Sequence, residues 1–220
     1  PIEEHLPTGP GSQQICGIMN SAEKILLESS INADRIRRGQ LPANAIWLWG
    51  SGKALDLPSL NVKYSFYGGV ISAVDLVRGI GSCAGLRVVN VPGATGYLDT
   101  NYSGKAEYAL QILQDENFVY LHIEAPDEAG HNGDVYAKIK AIEDIDTYVV
   151  GSLAKGFSSL GPCRLLVTPD HPTPIKLRTH SRDPVPFLLW GHDVEPDSVN
   201  CYSEKAALKS GRVEKHGHNL

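Results

Sequence analysis

Residues 118–134, FVYLHIEAPDEAGHNGD, run from an apolar strand-like stretch into a polar turn, and residues 136–157 then carry apolar positions at helical spacing. A strand, a turn and a helix in that order form the repeating unit of an α/β sheet. The turn holds Asp127 and His131 four positions apart, broken by Pro126 and Gly130. A carboxylate and an imidazole just beyond a strand end are placed where open α/β sheets gather their chemistry.

The same alternation extends in both directions. Upstream, 45–50 (AIWLWG) reads as a strand, 70–80 (VISAVDLVRGI) as a helix, 86–91 (LRVVNV) as a strand and 104–114 (GKAEYALQILQ) as a helix. Downstream, the helix over 136–157 has Ile139, Ile142, Ile145, Val149 and Leu153 on one stripe, and 164–168 (RLLVT) and 185–190 (VPFLLW) read as short strands. The predicted fold is α/β, a three-layer sandwich with a mostly parallel sheet between helices. Near the start, 13–30 (QQICGIMNSAEKILLESS) spaces Ile15, Ile18, Met19, Ala22, Ile25 and Leu26 as one amphipathic helix, and 31–44 (INADRIRRGQLPAN) reads as a polar linker or surface turn. A domain boundary is expected near Asn44, separating 1–44 from 45–220.

Bulk composition narrows the class. The chain has 220 residues, 42% of them hydrophobic, enough for a sizeable core. A net charge of −5, with 20 basic and 25 acidic residues interspersed, offers no basic stripe for nucleic acid. No apolar run approaches the roughly 20 residues of a membrane span, and no signal-type segment opens the chain, so the expected compartment is the cytoplasm. Cys16, Cys83, Cys163 and Cys201 are widely spaced, which suggests neither a disulfide framework nor a zinc knuckle.

The polar residues at the late strand ends form a constellation. Asp127 and His131 follow the first strand, Asp170 and His171 follow RLLVT, and His180 precedes VPFLLW. Mixed carboxylate and imidazole donors suit zinc, manganese, cobalt or iron better than calcium or magnesium, which favour oxygen shells. Any one of these pieces alone is an ordinary cap or surface histidine; their convergence on three strand ends argues for a metal centre. Five donors exceed a three-ligand catalytic site and fall short of two filled ones.

Four stretches in order resemble the archaeal-type cofactor-independent phosphoglycerate mutases of the alkaline phosphatase superfamily. They are VPGATGYLDTNYSGKA after ISAVDLVRGIG, APDEAGHNGD followed by KIKAIEDID, TPDHPTP, and THSRDPVPF, and the resemblance runs from about residue 30 to the end. It implies an alkaline phosphatase-like sheet, incomplete at its N-terminal side, with two divalent metals: manganese, zinc or cobalt, magnesium being less suited. It also implies that Asp127, His131 and His180 hold one metal and that Asp170 and His171 hold the second. The family's nucleophilic serine and one further aspartate ligand have no counterpart in these residues, so the chain is expected to be the C-terminal portion of a longer protein and inactive alone. Residues 1–44 are expected to be the end of an inserted cap domain and its return linker. A missing segment or a partner chain would complete the sheet.

The implied activity is interconversion of 3-phosphoglycerate and 2-phosphoglycerate through a phosphoserine, the substrate being a small phosphorylated metabolite. A homoserine kinase-like phosphotransfer, phosphomonoester hydrolysis on the same machinery, or a non-catalytic metal-binding role stand as alternatives. Arg35 and Lys53 are candidate anion contacts for the substrate, although GSGK lacks the spacing and the Ser/Thr of a phosphate loop. Arg37 and Arg38 share that candidacy with Arg35, against the more ordinary reading of all three as a solvated basic turn, and Arg182 beside His180 reads either as a support behind the metal ligands or as facing water.

Overall fold

The computed structural model describes residues 2–50 and 52–220; Pro1, and Ser51 within the GSGK stretch, lie outside the described residues. It divides into two compact units, 1–55 and 56–220, so the division falls downstream of Asn44. The first unit contains α1 (Ser12–Leu27) and α2 (Ser30–Arg37). The second helix corrects the expectation of a linker over 31–44. Asn32, almost fully buried, explains the order there: its amide nitrogen donates to the carbonyls of Leu26 (2.8 Å) and Ala43 (2.7 Å), and its oxygen accepts from the Ala43 N–H (2.9 Å). One side chain thereby ties the end of α1 to the segment beyond α2.

Residues 45–50 form no strand, although their composition is strand-like. A strand exists only through a neighbour's hydrogen bonds, and this stretch pairs with none among the described residues; Trp49 is 81% exposed.

The second unit begins with α3 (Leu60–Tyr64), β1 (Gly68–Ile71), α4 (Asp75–Cys83) and β2 (Arg87–Val89). Then follow α5 (Tyr102–Asp115), β3 (Phe118–Leu121), α6 (Ala125–Asn132), α7 (Val135–Asp144), α8 (Gly151–Gly156), β4 (Arg164–Val167), β5 (Leu188–Gly191) and α9 (Glu204–Ser210). The helix expected over 70–80 is corrected at its start, where Val70 and Ile71 belong to β1. Ser72 makes the break, its Oγ accepting the Val74 N–H at 3.0 Å just before α4.

β1 lies in the middle of a parallel three-stranded sheet, order β2-β1-β3, with Val70 opposite both Val88 and Tyr120. Successive strand residues face opposite sides, and β1 uses both. Gly81 of α4 lies against Val70, where a methyl group would come within 2.6 Å of Cγ1, and one added at Gly69 would meet Ile112 of α5 at 2.9 Å. The two helices therefore cover opposite faces, giving the three-layer α/β arrangement. On the α5 side Tyr102, Ala106, Ala109 and Ile112 present one buried stripe to Ile71 and Val89. β4 and β5 form a separate antiparallel ladder, Leu165 opposite Trp190, so among the described residues the last expected strand joins no parallel sheet.

The long helix expected over 136–157 is interrupted by a π-helical stretch, Ile145–Val150, between α7 and α8. A wider turn shifts the buried face. Ala141, Val149, Leu153 and Phe157 enter the core, whereas Ile139 and Ile142 of the expected stripe are about half exposed, at 50% and 52%.

Candidate metal centre

The carboxyl ends of β3 and β4 supply the centre. Beyond β3 the chain turns at Glu124, whose carbonyl accepts the N–H groups of Asp127 (2.8 Å) and Glu128 (3.2 Å) and so starts α6. Pro126 lies in the first turn, where its missing N–H costs no helical bond. The stretch expected to be a turn is thus a helix, and Asp127 and His131, four residues apart, share one face of it. Their side chains meet, Nε2 to Oδ2, at 3.3 Å.

The loop after β4 packs onto that helix at Gly130. A Cβ there would lie 2.6 Å from the Thr173 carbonyl and 3.1 Å from Lys138 Nζ, so only glycine permits the approach. Lys138 Nζ in turn donates to the Thr173 carbonyl at 2.6 Å, and burial holds its pKa down. The approach delivers Thr173, almost fully buried, whose hydroxyl donates to Asp127 Oδ1. It also brings His171 Nδ1 to 4.0 Å from Asp127 Oδ1. The chain then turns through Pro174, whose carbonyl accepts the N–H groups of Leu177 and Arg178 at 2.9 Å, and returns His180 to the cluster. His180 Nε2 lies 3.5 Å from Asp127 Oδ1 and 3.1 Å from His131 Nε2.

Asp127, His171 and His180 each offer a donor atom within 4.8 Å of the others. His131 adjoins two of them, and Asp170, 63% exposed at its side chain, reaches His171 Nε2 at 3.5 Å. All five residues anticipated from the sequence therefore stand in one neighbourhood. Two imidazole Nε2 atoms 3.1 Å apart beside a carboxylate form a donor set fitted to a cation, because without one a ring nitrogen must donate to the other. The grouping differs in detail from that implied by the resemblance: His171, assigned there with Asp170, also lies with Asp127 and His180.

Arg35 and Lys53 belong to the first unit. Arg35 lies in α2 with its Nε donating to the Leu41 carbonyl at 2.9 Å, and Lys53 is exposed in irregular chain. Arg37 and Arg38 both pair with Asp34, at 2.9 and 2.6 Å.

A polar network beside the centre was not anticipated. His122 Nδ1 lies 3.2 Å from Ser72 Oγ, and its Nε2 lies 3.4 Å from Glu124 Oε2. Burial lowers the His122 pKa, opposed by Asp170. Burial also raises that of Glu124, reinforced by Asp127, Glu128 and Asp170. Beneath them Lys105 of α5 is completely buried and donates to the His122 carbonyl at 3.3 Å; desolvation lowers its pKa to about 8 against the pull of Glu124. Its place on the apolar stripe between Tyr102 and Ala109 was the available signal. For Thr173 the only signal was its position within TPDHPTP.

The metalloenzyme superfamily profile matches residues 13–217. The chain belongs to the metalloenzyme superfamily. That membership implies dependence on divalent metal, in agreement with the donor set. A probable 2,3-bisphosphoglycerate-independent phosphoglycerate mutase of Geobacter sulfurreducens is 50% identical over 220 residues, which is 100% of this chain and 55% of that one. A 2,3-bisphosphoglycerate-independent phosphoglycerate mutase of Methanothrix thermoacetophila is 50% identical over 221 residues, 100% of this chain and 56% of its own. Among solved structures, the PH0037 protein from Pyrococcus horikoshii superposes with a TM-score of 0.79 at 30% identity, covering 92% of this chain and 54% of that one. The cofactor-independent phosphoglycerate mutase of Thermoplasma acidophilum gives 0.58 at 25% identity, covering 94% and 50%. This superfamily member thus has an alkaline phosphatase-like α/β fold and spans about half the length of the curated relatives it matches. No helix among its described residues is long and apolar enough to cross a membrane.

Proposed function

We propose that these residues form the metal-holding part of a cofactor-independent phosphoglycerate mutase, interconverting 3-phosphoglycerate and 2-phosphoglycerate through a phosphoserine. The convergence of Asp127, His131, His171 and His180 at two strand ends carries this reading, in a chain 50% identical to proteins named for that activity. In the proposal, Asp127, His131 and His180 hold one divalent ion and Asp170 and His171 contribute to a second, with manganese, zinc or cobalt suited to the mixed donors. Such a pair lowers the pKa of an attacking hydroxyl and neutralises charge on a transferring phosphoryl group.

The chain's own contribution is to fix the donors. Thr173 holds one oxygen of Asp127, leaving the other toward His131. The Gly130 contact holds the β4 loop against α6. The serine that would carry the phosphoryl group and the remaining ligands belong, in this reading, to a longer protein or a partner segment that completes the site, and the 220 residues alone are expected to be inactive. Four free cysteines accord with a reducing compartment, and we assign the reaction to the cytoplasm.

The test is phosphorus NMR of 3-phosphoglycerate with the longer protein containing these residues, supplied with manganese, against its Asp127→Ala variant. Appearance of 2-phosphoglycerate only with the native aspartate supports the proposal. Release of inorganic phosphate without the 2-isomer would replace it with phosphomonoester hydrolysis.

A further inference from the structure

Among the described residues, three that are not glycine have positive φ: Ser65 (58°), Arg178 (54°) and Asp193 (56°). Serine and aspartate are short and polar, and they form hydrogen bonds locally; arginine has no such reason to enter the left-handed region. Arg178 is also the one that borders the metal centre. Its N–H is held by the Pro174 carbonyl at 2.9 Å, and its own carbonyl faces His131 Nδ1 at 3.1 Å. The space for this comes from Gly133 at the end of α6. A Cβ on Gly133 would lie 2.5 Å from Arg178 Nε and 2.8 Å from Cζ, so the guanidinium lies directly over that helix end.

A carbonyl can only accept. His131 must therefore place its proton on Nδ1 to make the contact, and its lone pair is then on Nε2. That Nε2 is the atom 3.3 Å from Asp127 and 3.1 Å from His180. We propose that Arg178 is a positioning residue for His131: its main-chain carbonyl, turned by the left-handed backbone, fixes the tautomer that presents Nε2 to the centre. The role is the backbone's, not the guanidinium's. The consequence for metal binding rests on the metal-centre reading above; the tautomer does not.

The backbone claim separates two substitutions. Arg178→Gly keeps the left-handed conformation without strain, whereas Arg178→Val, β-branched, resists it. Long-range proton–nitrogen NMR of the imidazoles, on metal-free protein well above the imidazole titration range, reads the tautomer directly. Manganese or zinc titration of the same samples reads the affinity. The expected result is Nδ1–H on His131 in the native chain and in Arg178→Gly. In Arg178→Val the tautomers mix and affinity falls by roughly tenfold, the lower end of what losing such an outer contact does.

Nε2–H on His131 in the native chain would overturn the proposal, and that reading needs no variant to fold. So would an unchanged tautomer in folded Arg178→Val, or an Arg178→Gly chain as impaired as Arg178→Val, which would transfer the role to the side chain. Native Nδ1–H with no metal uptake would leave the positioning intact and defeat the metal reading instead.

Discussion

The hydroxyl of Thr173 donates to Asp127 Oδ1, joining residues 46 positions apart in the chain. Threonine donates one proton, and here it goes to the carboxylate that also faces three histidines. Thr173→Val keeps the shape and removes the donor. We predict metal affinity lower by about 10- to 100-fold, with Thr173→Ser restoring most of it. Equal titrations for native and Thr173→Val protein would show that the hydroxyl does not orient Asp127.

Asp127 lies against His131, His180 and Thr173, so its removal disturbs the cluster more than any other single truncation. Asp127→Ala should weaken manganese or zinc binding at least tenfold. Thermal unfolding gives a second view, since an ion present at about 100 times its dissociation constant stabilises the fold by roughly 2.7 kcal/mol. The native chain should melt higher with metal and revert with chelator. Asp127→Ala should be insensitive to both.

Lys105 makes stability depend on pH in the alkaline range. Its folded pKa is near 8, against 10.5 for the free side chain. Below pH 8 both states bind the proton, and the folded state bears the full cost of burying an ammonium group. Between about 8 and 10.5 only the unfolded state keeps the proton, so stability rises with pH, by roughly 3 kcal/mol in all. Lys105→Met should flatten denaturation midpoints across that window. A native midpoint that falls from pH 8 to 10 while Lys105→Met stays level would contradict this sign.

Gly68 permits the closest approach in the parallel sheet. A Cβ there would lie 1.7 Å from the Phe118 carbonyl oxygen, which is backbone and cannot turn aside. Gly68→Ala should separate the start of β1 from β3 and cost roughly 1–3 kcal/mol or more. Urea denaturation measures it, and a loss below about 0.5 kcal/mol would mean that the strands part without penalty.

The sequence revealed the site more clearly than the backbone around it. Asp127, His131, Asp170, His171 and His180 are residue types whose chemistry is evident wherever they cluster, and strand ends are where a sheet brings them together. Val70 and Ile71 read as helical because apolar runs serve helix and buried strand alike; only pairing with β2 and β3, distant in sequence, decides between them. The π-helical stretch after Asp144 was invisible because periodicity presumes a constant turn. Lys105 and Thr173 act through what they approach, and that approach depends on how α5 and the β4 loop pack.

The donors come from two ladders that share no strand: Asp127 and His131 from the parallel sheet through α6, His171 and His180 from the antiparallel pair through its connecting loop. An ion held by both sets is a cross-link between the ladders, closing a span of 49 residues between His131 and His180. Its binding energy then becomes a mechanical property of the domain. Amide exchange should slow on both sides of the seam when the ion binds, at strands that never touch it.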